Sequence, residues 1–138
     1  MSRSSSLSAS DSLPTRRTRA GHYAVWVLQV IVAGMFFLAG GSKLAGNPAM
    51  VATFDTFGIG QWFRYATGLI EVVAAVALLV PRFVPFGAIL LVPTMLGAIV
   101  THLFIIGGSP AVPALLLLGA LVILWARREQ LAGFLSRA

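Results

Sequence analysis

The chain has 138 residues, of which 58% are hydrophobic and only 10% are charged, and its formal net charge is +6 at pH 7. A soluble domain carries about 25% charged residues, so this composition excludes a soluble protein and indicates a single integral membrane domain. Most basic residues flank apolar segments, which is typical of membrane orientation and lipid headgroup contact and argues against nucleic-acid binding. The absence of cysteine excludes disulfides, thiol relays and cysteine-ligated zinc or iron–sulfur centres.

Residues 1–20 are predicted to form a disordered cytoplasmic tail, because seven of the first thirteen residues are serine and no apolar period occurs. Arg16, Arg17 and Arg19 precede the first apolar segment, and this favours an orientation signal on the cytoplasmic side. The alternative, a twin-arginine export signal, is disfavoured because apolar residues do not follow the arginine pair directly.

The first apolar segment, residues 23–45, predicts a membrane-spanning helix. Gly34, Ala39 and Gly40 are small residues that allow another helix to approach closely. A cleaved signal peptide is the alternative. The charged region before the segment is long, however, and the apolar run exceeds a typical signal core, so a retained helix is favoured.

Residues 46–61 are too short to span a bilayer and predict a helix that lies in the outer interface. Asn47 and Pro48 form a turn and helix-start signal, and apolar residues follow at spacings of four and three: Met50, Phe54 and Phe57. Gly58 and Gly60 are expected to end this helix.

Residues 62–80 predict the second crossing, with Glu71 at its centre. The helical i, i+3, i+4, i+7 rule places one stripe on a single face: Gly68, Glu71, Ala74, Ala75 and Leu78. Glu71 is therefore expected to face neighbouring helices and not lipid, and Thr67, one turn earlier, is positioned to donate a hydrogen bond to it.

Residues 83–106 predict a third crossing, which Pro93 is expected to kink, and residues 111–126 predict a fourth. With both termini in the cytoplasm, eight basic residues lie inside and two, Lys43 and Arg64, lie outside, which favours this orientation. The predicted fold is therefore all-α. It is a four-transmembrane-helix bundle over residues 21–128 with an interfacial helix between helices 1 and 2, and a short cytoplasmic tail at residues 129–138. The expected location is the cytoplasmic membrane.

Three polar residues stand out as candidates for ligand binding or proton handling: Lys43, Glu71 and His102. An ionisable residue inside the membrane costs several kcal/mol unless it is partnered, so it is a functional hypothesis by default. Helix directions place all three in the outer half of the bundle, where a Lys43–Glu71 contact is feasible. These three residues are expected to border a pocket that opens to the outer side or to the lipid. Its wall and lining are expected to come from further residues: Phe36, Phe37, Met95, Thr67 and Gly68.

Each of these three residues can also have a purely structural role. Lys43 can extend to outer headgroups, Glu71 can be a structural carboxylate that specifies helix register, and His102 can be an interfacial residue bonded to a backbone carbonyl. One histidine and one carboxylate are too few for a metal site, so none is predicted. No nucleophile with its base and no phosphate-binding glycine loop is present, so catalytic residues and cofactors stay unassigned.

The pattern over residues 25–103 resembles the DoxX-like family of small four-helix membrane proteins. The resemblance rests on the order and spacing of several short pieces: Ala39-Gly40 with Lys43-Leu44, Phe57-Gly58-Ile59, Gly68 with Glu71, Leu78-Leu79-Val80-Pro81, and Met95, Ala98 and His102. One departure is Gly60, where the family often has proline. The resemblance implies a four-helix bundle in the cytoplasmic membrane, and Lys43, Glu71 and His102 match the family's polar pattern.

The family is named after a subunit of a thiosulfate:quinone oxidoreductase, and related members are linked with membrane oxidoreductase assemblies. Three functions stay open on this basis. The first is a non-catalytic subunit or assembly factor of a membrane redox or stress-response complex, with an oxidoreductase partner subunit. The second is a quinone-interacting component in which Glu71 and His102 handle protons. The third is a small permease or channel, which would require a homo-oligomer.

Overall fold

The computed structural model describes residues 19–138, so most of the predicted tail, with Arg16 and Arg17, lies outside the described residues. Within 19–138 all regular structure is helical. The elements are α1 (Arg19–Leu44), α2 (Pro48–Asp55), α3 (Trp62–Leu79), α4 (Val84–Thr101), a π-helical turn (His102–Ile106), α5 (Ala111–Ala126) and α6 (Arg128–Leu135).

Most helices match the segments that the sequence predicts, and the differences lie at the ends. Helix α5 has the predicted bounds. Helix α1 begins at Arg19 and so includes the last two residues of the predicted tail. The predicted third crossing consists of α4 followed by the π-helical turn. Helix α6 occupies residues that were predicted only as a tail.

Three helical segments are by themselves long and apolar enough to cross a membrane: α1, α3, and α4 with its π-helical turn. Helix α5 has 16 residues and is about 24 Å long, which is shorter than the roughly 30 Å hydrocarbon core. It qualifies as a fourth span only together with α6, and these two helices are bent by 61° relative to each other.

The long helices pack in the cyclic order α1, α3, α4 and α5, because each contacts the next and α5 contacts α1. The core between them consists mainly of aliphatic side chains and includes the fully buried Phe36, Leu78, Leu91 and Ile123. Apolar residues on the outer faces of the same helices are exposed, as expected for helices surrounded by lipid.

The short helix α2 packs against α1 and α3. Its start follows the predicted signal: the Asn47 side chain accepts a hydrogen bond from the Ala49 backbone N–H at 3.0 Å, and Pro48 occupies the first turn. After α2 the chain turns at Gly58 and Gly60, whose φ angles of 68° and 95° favour glycine.

Candidate functional site

Lys43 and Glu71 form an ion pair between α1 and α3. The Lys43 Nζ atom donates hydrogen bonds to both carboxylate oxygens of Glu71, at 3.0 and 2.8 Å. The side chains of lysine and glutamate are only 15% and 4% exposed. The two charges therefore neutralise each other inside the bundle, which is what makes an ionisable residue tolerable at membrane depth.

Glycines bring the two helices close enough for this pair to form. A Cβ atom on Gly40 would lie 2.8 Å from the Gly68 carbonyl oxygen and 3.1 Å from the Glu71 Cβ. A Cβ atom on Gly68 would lie 2.9 Å from the Lys43 Cβ. No side chain fits at either glycine without displacing its neighbours, so the interface around the ion pair is tightly packed.

Arg64 extends the site toward the end of α1. It is only 3% exposed, and its guanidinium donates a hydrogen bond to the backbone carbonyl of Lys43. The Arg64 Nε also donates to the Gln61 side-chain oxygen at 2.6 Å, and the Gln61 amide donates to Asp55 and to the Val51 carbonyl of α2. A continuous set of hydrogen bonds thus joins α2 to the end of α1.

The predicted hydrogen bond from Thr67 to Glu71 is not formed. The Thr67 hydroxyl lies 3.0 Å from the Phe63 carbonyl oxygen and 3.2 Å from that of Arg64. A helical threonine commonly returns its hydroxyl to the preceding turn. Glu71 instead receives both of its side-chain hydrogen bonds from Lys43.

His102 lies at the start of the π-helical turn and is partly exposed. Its Nδ1 atom is 2.9 Å from the Ala98 carbonyl oxygen, and this is its one side-chain hydrogen bond within residues 19–138. The structure therefore brings two of the three candidate residues into contact, whereas the third makes a local bond on its own helix.

The side chains predicted to form an apolar pocket wall are mostly part of the core. Phe36 is fully buried and Met95 is 4% exposed, and both belong to the packed cluster between the helices. Phe37, in contrast, lies on the outer face of α1 and lines a shallow surface depression near α2.

A second buried polar cluster lies at the other end of the bundle and was not predicted from the sequence. Gln29 is fully buried; its amide donates to the Leu78 carbonyl at 3.0 Å, and its side-chain oxygen accepts from the Nε and a terminal nitrogen of Arg127 at 3.1 and 2.9 Å. The Arg127 guanidinium also lies 5.7 Å from the centre of the Trp26 ring. Gln29 thus joins α1, α3 and the α5–α6 bend.

Helical spacing could have indicated both residues that were missed. Arg64 lies four residues before Gly68 and seven before Glu71, so it continues the predicted stripe by one turn. Gln29 lies fourteen residues before Lys43, which is two heptads along the same face of α1. From the sequence alone, Gln29 had no predicted role, and Arg64 was placed only among the basic residues on the outer side.

In the part of the chain that the structure describes, no group of three or more His, Cys, Asp or Glu side chains could hold a metal ion. The Lys43–Glu71 pair can fix the α1–α3 register or exchange a proton between its members. Neither of these two roles requires a bound group.

A family model described as the DoxX-like family matches residues 27–126. This match covers α1 from residue 27 onward and all of α3, α4 and α5, and it includes both buried polar clusters except Trp26 and Arg127. No curated protein and no solved structure matches the chain.

Proposed function

The chain belongs to the DoxX-like family and is a multi-pass membrane protein, and we propose that it acts as a non-catalytic subunit or assembly factor of a membrane redox or stress-response complex. One observation carries this proposal. The acid and the base at the centre of the site are hydrogen-bonded to each other in a tightly packed helix interface.

A proton-handling site needs an acid or base that can reach its ligand. Here both carboxylate oxygens of Glu71 accept hydrogen bonds from Lys43, and the pair is almost completely buried. His102 makes its bond to Ala98 on its own helix. This arrangement supports a role in holding α1 against α3 more than a role in binding a quinone.

The proposal includes four crossings in the cytoplasmic membrane with both termini inside. Arg82, Arg127, Arg128 and Arg137 would then lie on the cytoplasmic side, and Lys43 and Arg64 would lie near the outer side, in agreement with the charge rule for loops. Reporters fused after residues 82 and 137 test this orientation. A reporter that is active only outside the cytoplasm should be inactive in both fusions, and activity of either fusion would contradict this orientation.

The functional proposal is tested by purifying the tagged full chain in mild detergent and identifying the proteins, lipids and quinones that it retains by mass spectrometry. We expect a stoichiometric protein partner and no quinone enriched above the level in the extracted membrane. The Glu71→Gln variant is the matched comparison, since it keeps the side-chain volume and removes the carboxylate.

Two results would replace the proposal. A chain that purifies without a partner and holds a quinone, which Glu71→Gln loses, would establish the quinone-interacting function. Ion or solute flux through reconstituted protein, lost with Glu71→Ala, would establish a permease or channel.

A further inference from the structure

Arginines gather at the Gln29 end of the bundle, where the α3–α4 turn meets the α5–α6 bend. The Gln130 side chain on α6 donates a hydrogen bond to the Pro81 carbonyl, which directly precedes Arg82. Arg127 and Arg128 lie one turn or less before Gln130. This hydrogen bond therefore brings Arg82 to the same rim of the molecule as the first turn of α6.

Aromatic rings hold two of these guanidinium groups in place. The Arg128 guanidinium lies 4.5 Å from the centre of the Trp125 ring and donates to the Trp125 carbonyl at 3.0 Å. The Arg82 guanidinium lies 5.9 Å from the rings of both Phe83 and Phe134. Such cation–aromatic contacts restrict the side chain while leaving its N–H groups able to bind an anion.

The charge at this rim is strongly unbalanced. Within residues 19–138, Arg82 and Arg128 are exposed and make no ion pair, and the one carboxylate side chain on α6 is Glu129. The cations at the other end of the bundle are engaged differently, because Lys43 binds Glu71 and Arg64 binds a backbone carbonyl. Within residues 19–138 the exposed positive charge therefore lies at the Gln29 end of the bundle, where Arg19 at the start of α1 is exposed as well.

We propose that Arg82 and Arg128 each bind an anionic phospholipid headgroup, with α6 lying along the membrane surface. Basic clusters beside membrane-spanning helices attract anionic headgroups. Two exposed apolar side chains lie beside the two arginines and would contact the acyl chains: Phe83 and Trp125. This apolar border favours a lipid over a free phosphate ion, and the packing of Phe134 on Phe86 at 5.2 Å holds α6 against α4.

The test uses the full chain in mild detergent, with equal amounts of phosphatidylglycerol and phosphatidylcholine that carry the same acyl chains. Native mass spectrometry measures which lipid is retained. We expect the wild type to prefer phosphatidylglycerol. Arg82→Gln and Arg128→Gln should each lower this preference up to about fivefold, because each variant loses an exposed ion pair with a phosphate, and such a pair contributes up to about 1 kcal/mol.

Arg137→Gln is the matched control, since it removes the same charge from the residues after α6, where no aromatic ring contacts the guanidinium in the described chain. It should leave the preference nearly unchanged. Arg82→Lys and Arg128→Lys keep the charge and should retain most of the preference. All variants alter exposed side chains, and unchanged circular dichroism spectra will verify that each is folded.

Three outcomes would overturn the proposal. The wild type could retain both lipids equally. Arg137→Gln could reduce the preference as much as Arg82→Gln, which would indicate a diffuse charge effect. Excess inorganic phosphate could displace the phospholipid completely, which would indicate a site for free phosphate.

Discussion

The two buried polar clusters join the same helices from opposite ends and do so with different chemistry. At one end an ion pair, Lys43–Glu71, joins α1 to α3. At the other end the neutral amide of Gln29 connects the Leu78 carbonyl with Arg127. Gln29 and Lys43 are fourteen residues apart on α1, a distance of about 21 Å along the helix.

Because of this difference, the two clusters are expected to respond differently to the loss of one member. An ion pair in a low-dielectric interior leaves an uncompensated charge when one partner is removed. Loss of the Gln29 amide leaves only a neutral carbonyl, that of Leu78, without a donor. Arg127, at the end of its helix, can turn its guanidinium toward the interface. We therefore expect the two ends to differ in their tolerance of substitution.

The largest effect is expected from Glu71→Ala, which leaves Lys43 buried without its partner. The free energy of unfolding should fall by about 3–5 kcal/mol, the usual loss when one member of a buried pair is removed. Unfolding in SDS, followed by tryptophan fluorescence of the detergent-solubilised chain, measures the change.

The control is the double variant Lys43→Met/Glu71→Leu, which replaces both charges with apolar side chains of similar size. It should recover most of the lost stability, because replacement of a whole buried pair is often neutral or stabilising. If the double variant were as unstable as Glu71→Ala, the unpaired charge of Lys43 would not explain the loss, and the ion pair itself would be the stabilising contact.

A smaller loss, about 1–3 kcal/mol, is expected from Gln29→Leu, because the buried Leu78 carbonyl loses its donor. That carbonyl is near the end of α3, where the helix itself provides no partner. Gln130→Leu is the matched control, since it removes another amide-to-carbonyl bond in a more exposed place and should have little effect in the same SDS titration. Equal losses in the two variants would contradict a special role for Gln29.

The sequence predicted the helices well because their signals are local or periodic. The bounds of α5 follow from an unbroken apolar run between Pro110 and Arg127, and the buried stripe of α3 follows from spacing alone. The start of α2 at Asn47 follows from capping chemistry. Helix α6 was missed because it is short and mostly polar, and its position depends on contacts with the α3–α4 turn.

The site was predictable only as far as helical faces determine it. Spacing placed Glu71 on an inward face and helix direction placed Lys43 at a compatible depth, and their contact requires only that α1 and α3 meet. The roles of Arg64 and Gln29 depend on which backbone carbonyls lie within reach, and this is fixed by the three-dimensional packing of chain segments distant in sequence.

Adjacent glycines test how closely α1 and α3 must approach at the Lys43 end. Gly40→Ala places a Cβ atom 2.8 Å from the Gly68 carbonyl oxygen, and overpacking of this kind costs about 1–3 kcal/mol, partly offset by about 1 kcal/mol of helix propensity. Gly41→Ala meets no atom within 4 Å and should be neutral or slightly stabilising. In the SDS titration, the free energy of unfolding of Gly41→Ala should therefore equal or exceed that of the wild type, and that of Gly40→Ala should be lower. The reverse order would contradict the close approach of α1 and α3.

The smallest effect is expected from His102→Ala, which removes a partly exposed side chain bonded to the Ala98 carbonyl of its own helix. The loss should be below about 1 kcal/mol and similar to that of Thr94→Ala, whose hydroxyl donates to the Leu90 carbonyl on the same helix. His102→Ala combined with Glu71→Gln should be additive within about 0.5 kcal/mol, because residues without shared contacts act independently.

A larger coupling between the two substitutions would mean that the histidine and the ion pair form one polar unit, as the quinone-interacting function requires. Additivity would leave His102, at the start of the π-helical turn, energetically separate from Glu71 on α3. The Lys43–Glu71 pair would then act as a contact that joins two helices. Both ends of the bundle would bury polar groups for a structural purpose, one with an ion pair and the other with a neutral amide.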